Sequence, residues 1–330
     1  MLQQIVEIGQ AHDGSLGFAH SYIESLKGSD ITSVKFQMHI AEAESSPQES
    51  FRVNFSYEDK SRFDYWKRME FTKDQWIGLK NHCEDLGFEF LVSPFSIQAL
   101  NVIDELKVKR VKIGSGESRN LLMLDKIKLL KKEIILSTGL TSNSELEDLV
   151  KYLDYKKLSI LHCTTSYPSQ KENFYLDRLS YLKNNYDKKY TIGFSDHSGK
   201  ESTLAASLAL GANILEYHVV FDKNSFGPDS TSSIEVRDVS KMAENLNRLH
   251  ESLNYHKYND SYSEENKVIF GKTLAINKNL KKGSILQLSD LETKKPANQG
   301  ISASDYKSIL NQPLIKDIKK NDFLTKHHLI

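Results

Sequence analysis

The sequence predicts an α/β fold: a closed (β/α)8 barrel followed by a small β-rich domain. Three observations carry this prediction. Short β-branched runs alternate eight times with helix-like stretches, the pattern of a barrel or of a long open parallel sheet. The runs end in polar residues, as strands do when they open onto an active-site mouth. Beyond residue 270 the texture changes to short strands broken by lysine–glycine and lysine–asparagine turns.

The expected strands are Ile5–Ile8, Ser33–Gln37, Phe88–Val92, Arg110–Gly114, Glu133–Ser137, Leu158–Cys163, Tyr190–Phe194 and Ile214–Val219. Helical periodicity covers Gly17–Lys27, Lys73–Leu86, Ser96–Leu106, Leu121–Leu130, Ser142–Tyr152, Leu176–Lys183, Glu201–Leu210 and Val239–Leu253. Thr72 with Gln75 fits a capping box, and Ser142 with Glu145 carries the same cap signal. Residues 40–71 are too long for a plain βα turn and hold Arg52, Tyr57, Arg62, Tyr65, Trp66 and Arg68. Such an insertion either shapes a substrate pocket or decorates the surface. The expected organisation is a barrel domain over 1–255, a polar linker over 256–270 and a small β domain over 271–330. In that domain Thr273–Ile276, Leu280–Leu286 and Leu314–Asp322 read as strands. Its core is small, so docking on the barrel or on a second chain is expected.

Charge and composition narrow the function classes. Lysine plus arginine number 44, matched by 44 aspartates and glutamates, which argues against nucleic acid or an anionic membrane as partner. No apolar run reaches the roughly 18–20 residues of a membrane helix, and the first residues do not read as a signal peptide. Cys83 and Cys163 are too few for a disulfide framework or a zinc cage. A cytoplasmic enzyme is the expectation.

The strand ends carry the chemistry. Lys35 and Lys112, with Ser93, Ser115, Ser137 and Ser195, would line one side of the mouth. Two ammonium groups among hydroxyls and glycine-exposed N–H groups suit a phosphorylated carboxylate. Each lysine alone has the alternative of a solvated or salt-bridged residue, and a strand lysine also has that of a Schiff-base former. His197 and His218 end neighbouring strands. With Glu7, Glu117 and Asp229 nearby they form a candidate divalent-metal site, or else a hydrogen-bonded polar core. Asp196 is expected to orient one imidazole. The remaining histidines, His39, His82, His250, His256, His327 and His328, read as solvated.

With these residues in view, the chain resembles the sialic acid synthase (N-acetylneuraminate synthase) family, including its C-terminal antifreeze-like (SAF) domain. The resemblance rests on the order and spacing of Glu7-Ile8-Gly9, Lys35-Phe36-Gln37, Lys112-Ile113-Gly114-Ser115-Gly116-Glu117, Leu136-Ser137-Thr138-Gly139, His162-Cys163-Thr164, Tyr167-Pro168, Phe194-Ser195-Asp196-His197, Leu215-Glu216-Tyr217-His218 and Gly227-Pro228-Asp229. It implies a barrel enzyme that condenses phosphoenolpyruvate with an acylamino sugar aldehyde, releasing phosphate. By the same resemblance, Lys35, Ser93, Lys112, Ser115, Ser137 and Ser195 bind phosphoenolpyruvate, and His197 and His218 hold Mn2+ or Mg2+. Glu117, Glu7, Lys112 and His197 form the catalytic set. Gln37, Thr165, Tyr167, Asp229 and, from the SAF domain, Lys295 meet the sugar. A homodimer is implied in which the small domain of one chain covers the other's site.

The departures fall on the sugar side. Ala11-His12-Asp13-Gly14 stands where Asn-His-Asn-Gly is usual, Thr165 where asparagine is, and Lys295-Pro296-Ala297 where Arg-Pro-Gly is. On the donor side only Ser93 replaces a usual threonine. Lysine is a point charge where arginine offers a planar fork, so the acceptor is expected to be an N-acetylmannosamine-like or diacetamido hexose other than plain N-acetylmannosamine, a diacetamido-dideoxyhexose being one candidate. The alternatives are a synthase for another ulosonic acid, against which the C-terminal domain counts, and a catalytically weak sugar-binding paralogue.

Overall fold

The computed structural model describes residues 2–51, 55–255 and 261–329. It forms two compact units, Met1–Asn254 and Tyr255–Ile330. In the first, the strands β1 (Gln3–Gly9), β2 (Ser33–Met38), β3 (Glu89–Pro94), β4 (Arg110–Ile113), β5 (Glu133–Ser137), β6 (Leu158–Cys163), β7 (Thr191–Asp196) and β8 (Ile214–Val220) pair in parallel in chain order. β8 pairs back onto β1, from Gln3 opposite Ile214 to Glu7 opposite His218, and the barrel closes. A two-residue β9 (Ile234–Glu235) extends alongside β8.

The barrel helices are α1 (Leu16–Ser25), α4 (Lys73–Asp85), α5 (Ile97–Glu105), α6 (Leu121–Leu129), α7 (Asn143–Leu153), α8 (Asp177–Tyr186), α9 (Glu201–Ala209) and α10 (Val236–Asn254). The insertion contributes α2 (Ala41–Glu44) and α3 (Arg62–Met69). Every strand and helix expected for the barrel is present, with ends shifted by up to a few residues. Both capping signals form: the Thr72 hydroxyl accepts from the Gln75 N–H at the start of α4, and Ser142 accepts from Glu145 N–H at the start of α7.

Strand alternation explains what faces inward. Ile5, Leu91, Ile135, Leu161 and Ile214 form a fully buried apolar plug inside the barrel. Side chains two residues further along a strand point to the same side. The next layer toward the C-terminal ends is therefore Glu7, Ser93, Ser137, Cys163 and Glu216, and the site is assembled one step above the plug. On the outward faces, residues such as Val6, Phe36, Val92, Ile160 and Phe194 pack against the helices as the main core. Gly193 in β7 allows a close approach of β8, since a Cβ there would lie 2.6 Å from the Ile214 carbonyl.

The second unit has its own core, with Leu274, Ile276, Leu286, Ile309, Leu314, Ile318 and Leu324 buried together. Its regular ladder is β10 (Thr273–Ile276) antiparallel to β11 (Leu291–Lys294). The strands expected over 280–286 and 314–322 reduce to single bridges, Leu280 opposite Ile318 and Ile285 opposite Pro313. The reason is local: Gly283 turns the chain at φ +84°, and Pro313 has no N–H to continue a ladder. A short α12 (Tyr306–Ile309) completes the unit. The expected linker also needs correction, because ten of its residues form α11 (Ser261–Phe270), whose Lys267 pairs with Glu264 one turn earlier. Its polar composition is that of an exposed helix rather than an unstructured tether. Among the described residues no helix is long and apolar enough to cross a membrane.

Candidate active site

Just above the apolar plug, four ionised side chains share the barrel interior. Lys35 Nζ is 2.6 Å from Glu7 Oε2 and 3.9 Å from Glu216 Oε1. Lys112 Nζ is 3.2 Å from the same Glu216 oxygen. Hydroxyls complete the shell: Lys35 donates to Ser93 Oγ at 3.2 Å, Lys112 to Ser137 Oγ at 2.7 Å, and Ser195 donates to Glu216 Oε1 at 3.0 Å. All four charged groups are almost wholly buried. Burial alone would lower the Lys35 ammonium, but the Glu216 and Glu7 carboxylates outweigh it and hold Lys35 above the ordinary lysine value. Burial would raise Glu216, yet Lys112 and Lys35 hold it down to about 2. Ser115 sits at the rim, its Oγ accepting from the Gly139 N–H at 3.0 Å.

Beside this cradle His197 and His218 approach to 5.3 Å between ring centroids, with the Tyr167 ring 4.1 Å from that of His197. His197 Nδ1 donates to the Thr164 carbonyl at 2.7 Å, which leaves Nε2 as the basic nitrogen of the neutral ring. Asp196 does not orient it. Its carboxylate instead accepts from the Ser198 and Gly199 N–H groups and the Ser198 hydroxyl, closing the loop after β7. His218 is shifted down by burial, with Asp229 Oδ2 4.0 Å from its Nδ1. Gly9 keeps the space beside His218 open, since a Cβ there would sit 3.3 Å from the imidazole. Two adjacent imidazoles with a carboxylate alongside are a donor set that could hold a divalent cation. Among the described residues no group of three or more potential ligands converges on one point.

These residues line one cavity of about 460 Å3. Of the residues singled out in the sequence, Glu7, Lys35, Gln37, Ser93, Lys112, Ser115, Ser137, Thr165, Tyr167, Ser195, His197, His218 and Asp229 all border it. Glu117 does not: it closes a short turn after β4, and its carboxylate accepts from the Asn120 amide at 2.8 Å. Lys295 belongs to the second unit, where its ammonium lies 5.2 Å from the centre of the Phe270 ring.

The structure adds residues that sequence reasoning missed. Glu216 is the counter-charge to both lysines, and its signal was its place two residues before His218 on one strand. The insertion is a packed part of the site. Tyr65, Trp66 and Met69 of α3 are buried, and Arg62 and Trp66 border the cavity. Tyr57 is exposed, while Arg52 and His256 lie outside the described residues. His39 is not solvated: it is 2% exposed and borders the cavity. Its burial comes from α2 and α3, which fold over the end of β2. Cys163 also faces the cavity. Burial would raise its thiol, but neighbouring His197 and Lys112 bring it down to about 7.

A parallel barrel that gathers lysines, hydroxyls and paired imidazoles at the C-terminal ends of its strands has the architecture of a barrel enzyme. The chain belongs to the NeuB family, which it matches over residues 22–258, and residues 272–330 match the SAF domain. It is 31% identical to the N,N'-diacetyllegionaminic acid synthase of Campylobacter jejuni, over 97% of this chain and 98% of that one. It is 27% identical to the N-acetylneuraminate-9-phosphate synthase of Drosophila melanogaster, over 99% and 95% of the two chains. The crystal structure of an N-acetylneuraminic acid (sialic acid) synthetase from Leptospira borgpetersenii, in complex with citrate, superposes with a TM-score of 0.70. It is 28% identical, covering 81% of this chain and 90% of that one.

The charge cluster makes a stability prediction. Glu216→Gln leaves two buried ammonium groups short of a counter-charge, so it should cost about 3–5 kcal/mol near neutral pH. Because folding depresses the Glu216 carboxyl from its ordinary 4.5 to about 2, its contribution is present above that ordinary value and lost as acid carries the pH down toward about 2. Urea unfolding at fixed pH values should therefore show the gap between wild type and Glu216→Gln narrowing across that window.

Proposed function

We propose that the chain joins phosphoenolpyruvate to an acylamino aldose, either N-acetylmannosamine-like or a diacetamido hexose, giving a nonulosonic acid and inorganic phosphate. The observation that carries this reading is the pair of buried lysines among serine hydroxyls at the mouth of the barrel. Nothing in the apolar plug needs two ammonium groups, whereas a substrate with both a carboxylate and a phosphate does. Lys35, Lys112, Ser93, Ser115, Ser137 and Ser195 would hold those two anionic ends by charge-assisted hydrogen bonds. Glu7 and Glu216 keep both ammonium groups charged and aimed before substrate arrives, so little reorganisation is left for the reaction.

In the reaction, C3 of the enol phosphate forms a bond to the aldehyde carbon, and the aldehyde oxygen takes up a proton. Water adds at C2 and loses its proton, and the bond from C2 to the phosphate oxygen breaks to release phosphate. The resemblance gives the water's proton to Glu117; that Glu7 borders the cavity and Glu117 does not supports Glu7 in that role instead. His197 and His218 would hold a divalent cation, Mn2+ or Mg2+, which when bound would supply Lewis-acid activation of the acceptor aldehyde. The cavity wall formed by Arg62 and Trp66 keeps bulk water from competing for the intermediate. A cytoplasmic location fits two cysteines that are buried and free.

The acceptor reading draws support from the sugar-side departures at Asp13, Thr165 and Lys295, and from similarity to a relative named for diacetyllegionaminic acid. Phosphate release measured across a panel of aldoses should be fastest with a diacetamido hexose. Fastest turnover with N-acetylmannosamine overturns that choice, and no turnover with any aldose overturns the function.

The metal assignment makes a separate prediction. Chelation should abolish phosphate release, readdition of Mn2+ should restore it, and His218→Ala should be inactive while still folded. Undiminished activity in His218→Ala removes the role.

A domain-swapped homodimer is also proposed, with Lys295 of each chain serving the partner's site. Light scattering should give twice the chain mass, and Lys295→Ala should raise the acceptor KM without lowering thermal stability; a fully active monomer rejects it.

A further inference from the structure

We propose that His39 is a positioning residue: held by Glu44, it keeps a hydrogen on Nε2 that fixes the orientation of the Gln37 amide and, through it, the Glu7 carboxylate. The inference rests on the reading above, in which Gln37 and Glu7 serve the condensation.

The argument follows donors and acceptors along one chain of contacts. Glu7 is ion-paired to Lys35, so its oxygens accept hydrogen bonds and cannot donate them. The Gln37 group 2.8 Å from Glu7 Oε1 must then be the amide NH2. That turns the Gln37 carbonyl oxygen the other way, where Gln10 Nε2 lies at 3.3 Å and His39 Nε2 at 3.1 Å. Gln10 is itself oriented, because the Tyr65 hydroxyl donates to its carbonyl oxygen at 2.7 Å. Two donors therefore converge on Gln37 Oε1, and His39 Nε2 must be one of them. A lone pair on that nitrogen would face an oxygen lone pair, and the amide would be driven to flip its oxygen toward the Glu7 carboxylate.

The other ring nitrogen is equally committed. His39 Nδ1 lies 2.6 Å from Glu44 Oε1 in a pair whose side chains are almost fully buried. A carboxylate at Nδ1 accepts a hydrogen there, so the ring carries hydrogen on both nitrogens. The ring is stacked at 3.9 Å on Trp66 and at 4.6 Å on Phe95. Two rings that close cannot share one face, so His39 lies between them, and aromatic faces favour a cation. Arg62 lies 4.1 Å from the Trp66 ring, and the neighbouring His12 is neutral, pushed down to about 3 by burial first and then by the charges of His39 and Arg68. Four separate segments thus converge to fix one imidazole: the ends of β2 and β3, and helices α2 and α3. The amide nitrogen of Gln37 keeps its second hydrogen for an oxygen of the acceptor in the cavity it borders.

The test uses the full-length enzyme, phosphoenolpyruvate and the best aldose of the panel. His39→Phe keeps a ring for the stack and removes both hydrogens. It should lower kcat/KM for the aldose by roughly 10–100-fold and weaken phosphoenolpyruvate binding, measured by calorimetry, by a much smaller factor, because Lys35 keeps its direct ion pair with Glu7. Combined with Gln37→Leu it should cause no loss beyond that of Gln37→Leu alone, because His39 acts through Gln37. Where the stranded Glu44 carboxylate unfolds the single variant, His39→Phe/Glu44→Met supplies the same comparison. In nitrogen-labelled wild type, the ring signals that vanish in His39→Phe should show hydrogen on both nitrogens. Wild-type aldose kinetics in a folded variant, multiplied losses in the combined variant, or a lone pair on Nε2 would each overturn the proposal. A wild type that turns over no aldose counts against the function itself, and the ring-nitrogen spectrum still decides the positioning.

Discussion

Everything at the mouth of this barrel depends on one carboxylate. Glu216 is buried inside a closed sheet, with Lys112 at 3.2 Å, Lys35 at 3.9 Å and the Ser195 hydroxyl at 3.0 Å from a single oxygen. It is the carboxylate that both ammonium groups share, and an ammonium left unpaired at that depth costs several kcal/mol in desolvation. Glu7 provides the second negative charge, so the four groups cancel in pairs. The cluster is therefore a neutral object built of charges. Hydrophobic replacements would stabilise such a core at least as well, which marks the cluster as serving a ligand.

The barrel decides where these charges stand. A strand alternates its side chains, and a closed sheet leaves one side facing in. Once Ile5 and Ile214 are committed to the apolar plug, Glu7 and Glu216 have no other direction to face. The same reasoning carries Leu91 to Ser93, Ile135 to Ser137 and Leu161 to Cys163. Parallel register then sets neighbours side by side: Glu7 opposite Lys35 across β1 and β2, and Ser195 opposite Glu216 across β7 and β8. These positions need no loop to hold them.

This periodicity is why the barrel and most of the cavity were legible in the sequence. Strand identity, helix caps at Thr72 and Ser142, and the polar strand ends are local signals, and closure adds only the pairing of β8 with β1. What could not be read was the part that depends on long-range packing. His39 follows a strand in a run that looks like an exposed loop, and only α2 and α3 folding back over it make it buried. Asp196 stands next to His197 in sequence, yet its carboxylate turns to the following loop while a carbonyl from β6's end orients the imidazole. Glu117 lies one residue beyond the cavity wall, in a turn whose direction no strand period specifies. In the second unit the strand pattern was right in texture, but a glycine turn and Pro313 cut the ladders to single bridges.

The two halves of the site are thus held in different ways. The lysine–serine cradle sits on strands, where a change of residue type leaves a buried charge unpaired or a hydroxyl unsatisfied. The opposite wall, with Trp66, Arg62, Phe95 and Thr165, rests on the insertion and on loops after the strands, where substitutions alter shape and hydrogen bonding without stranding charge in the core. Relatives that share the chain's length are named for legionaminic, pseudaminic and neuraminic products, and the departures noted in this chain lie mainly on the loop side. His39 joins the two halves: its ring is gripped between Trp66 and Phe95, and its hydrogen bond ends on Gln37, which in turn donates to Glu7 on its strand.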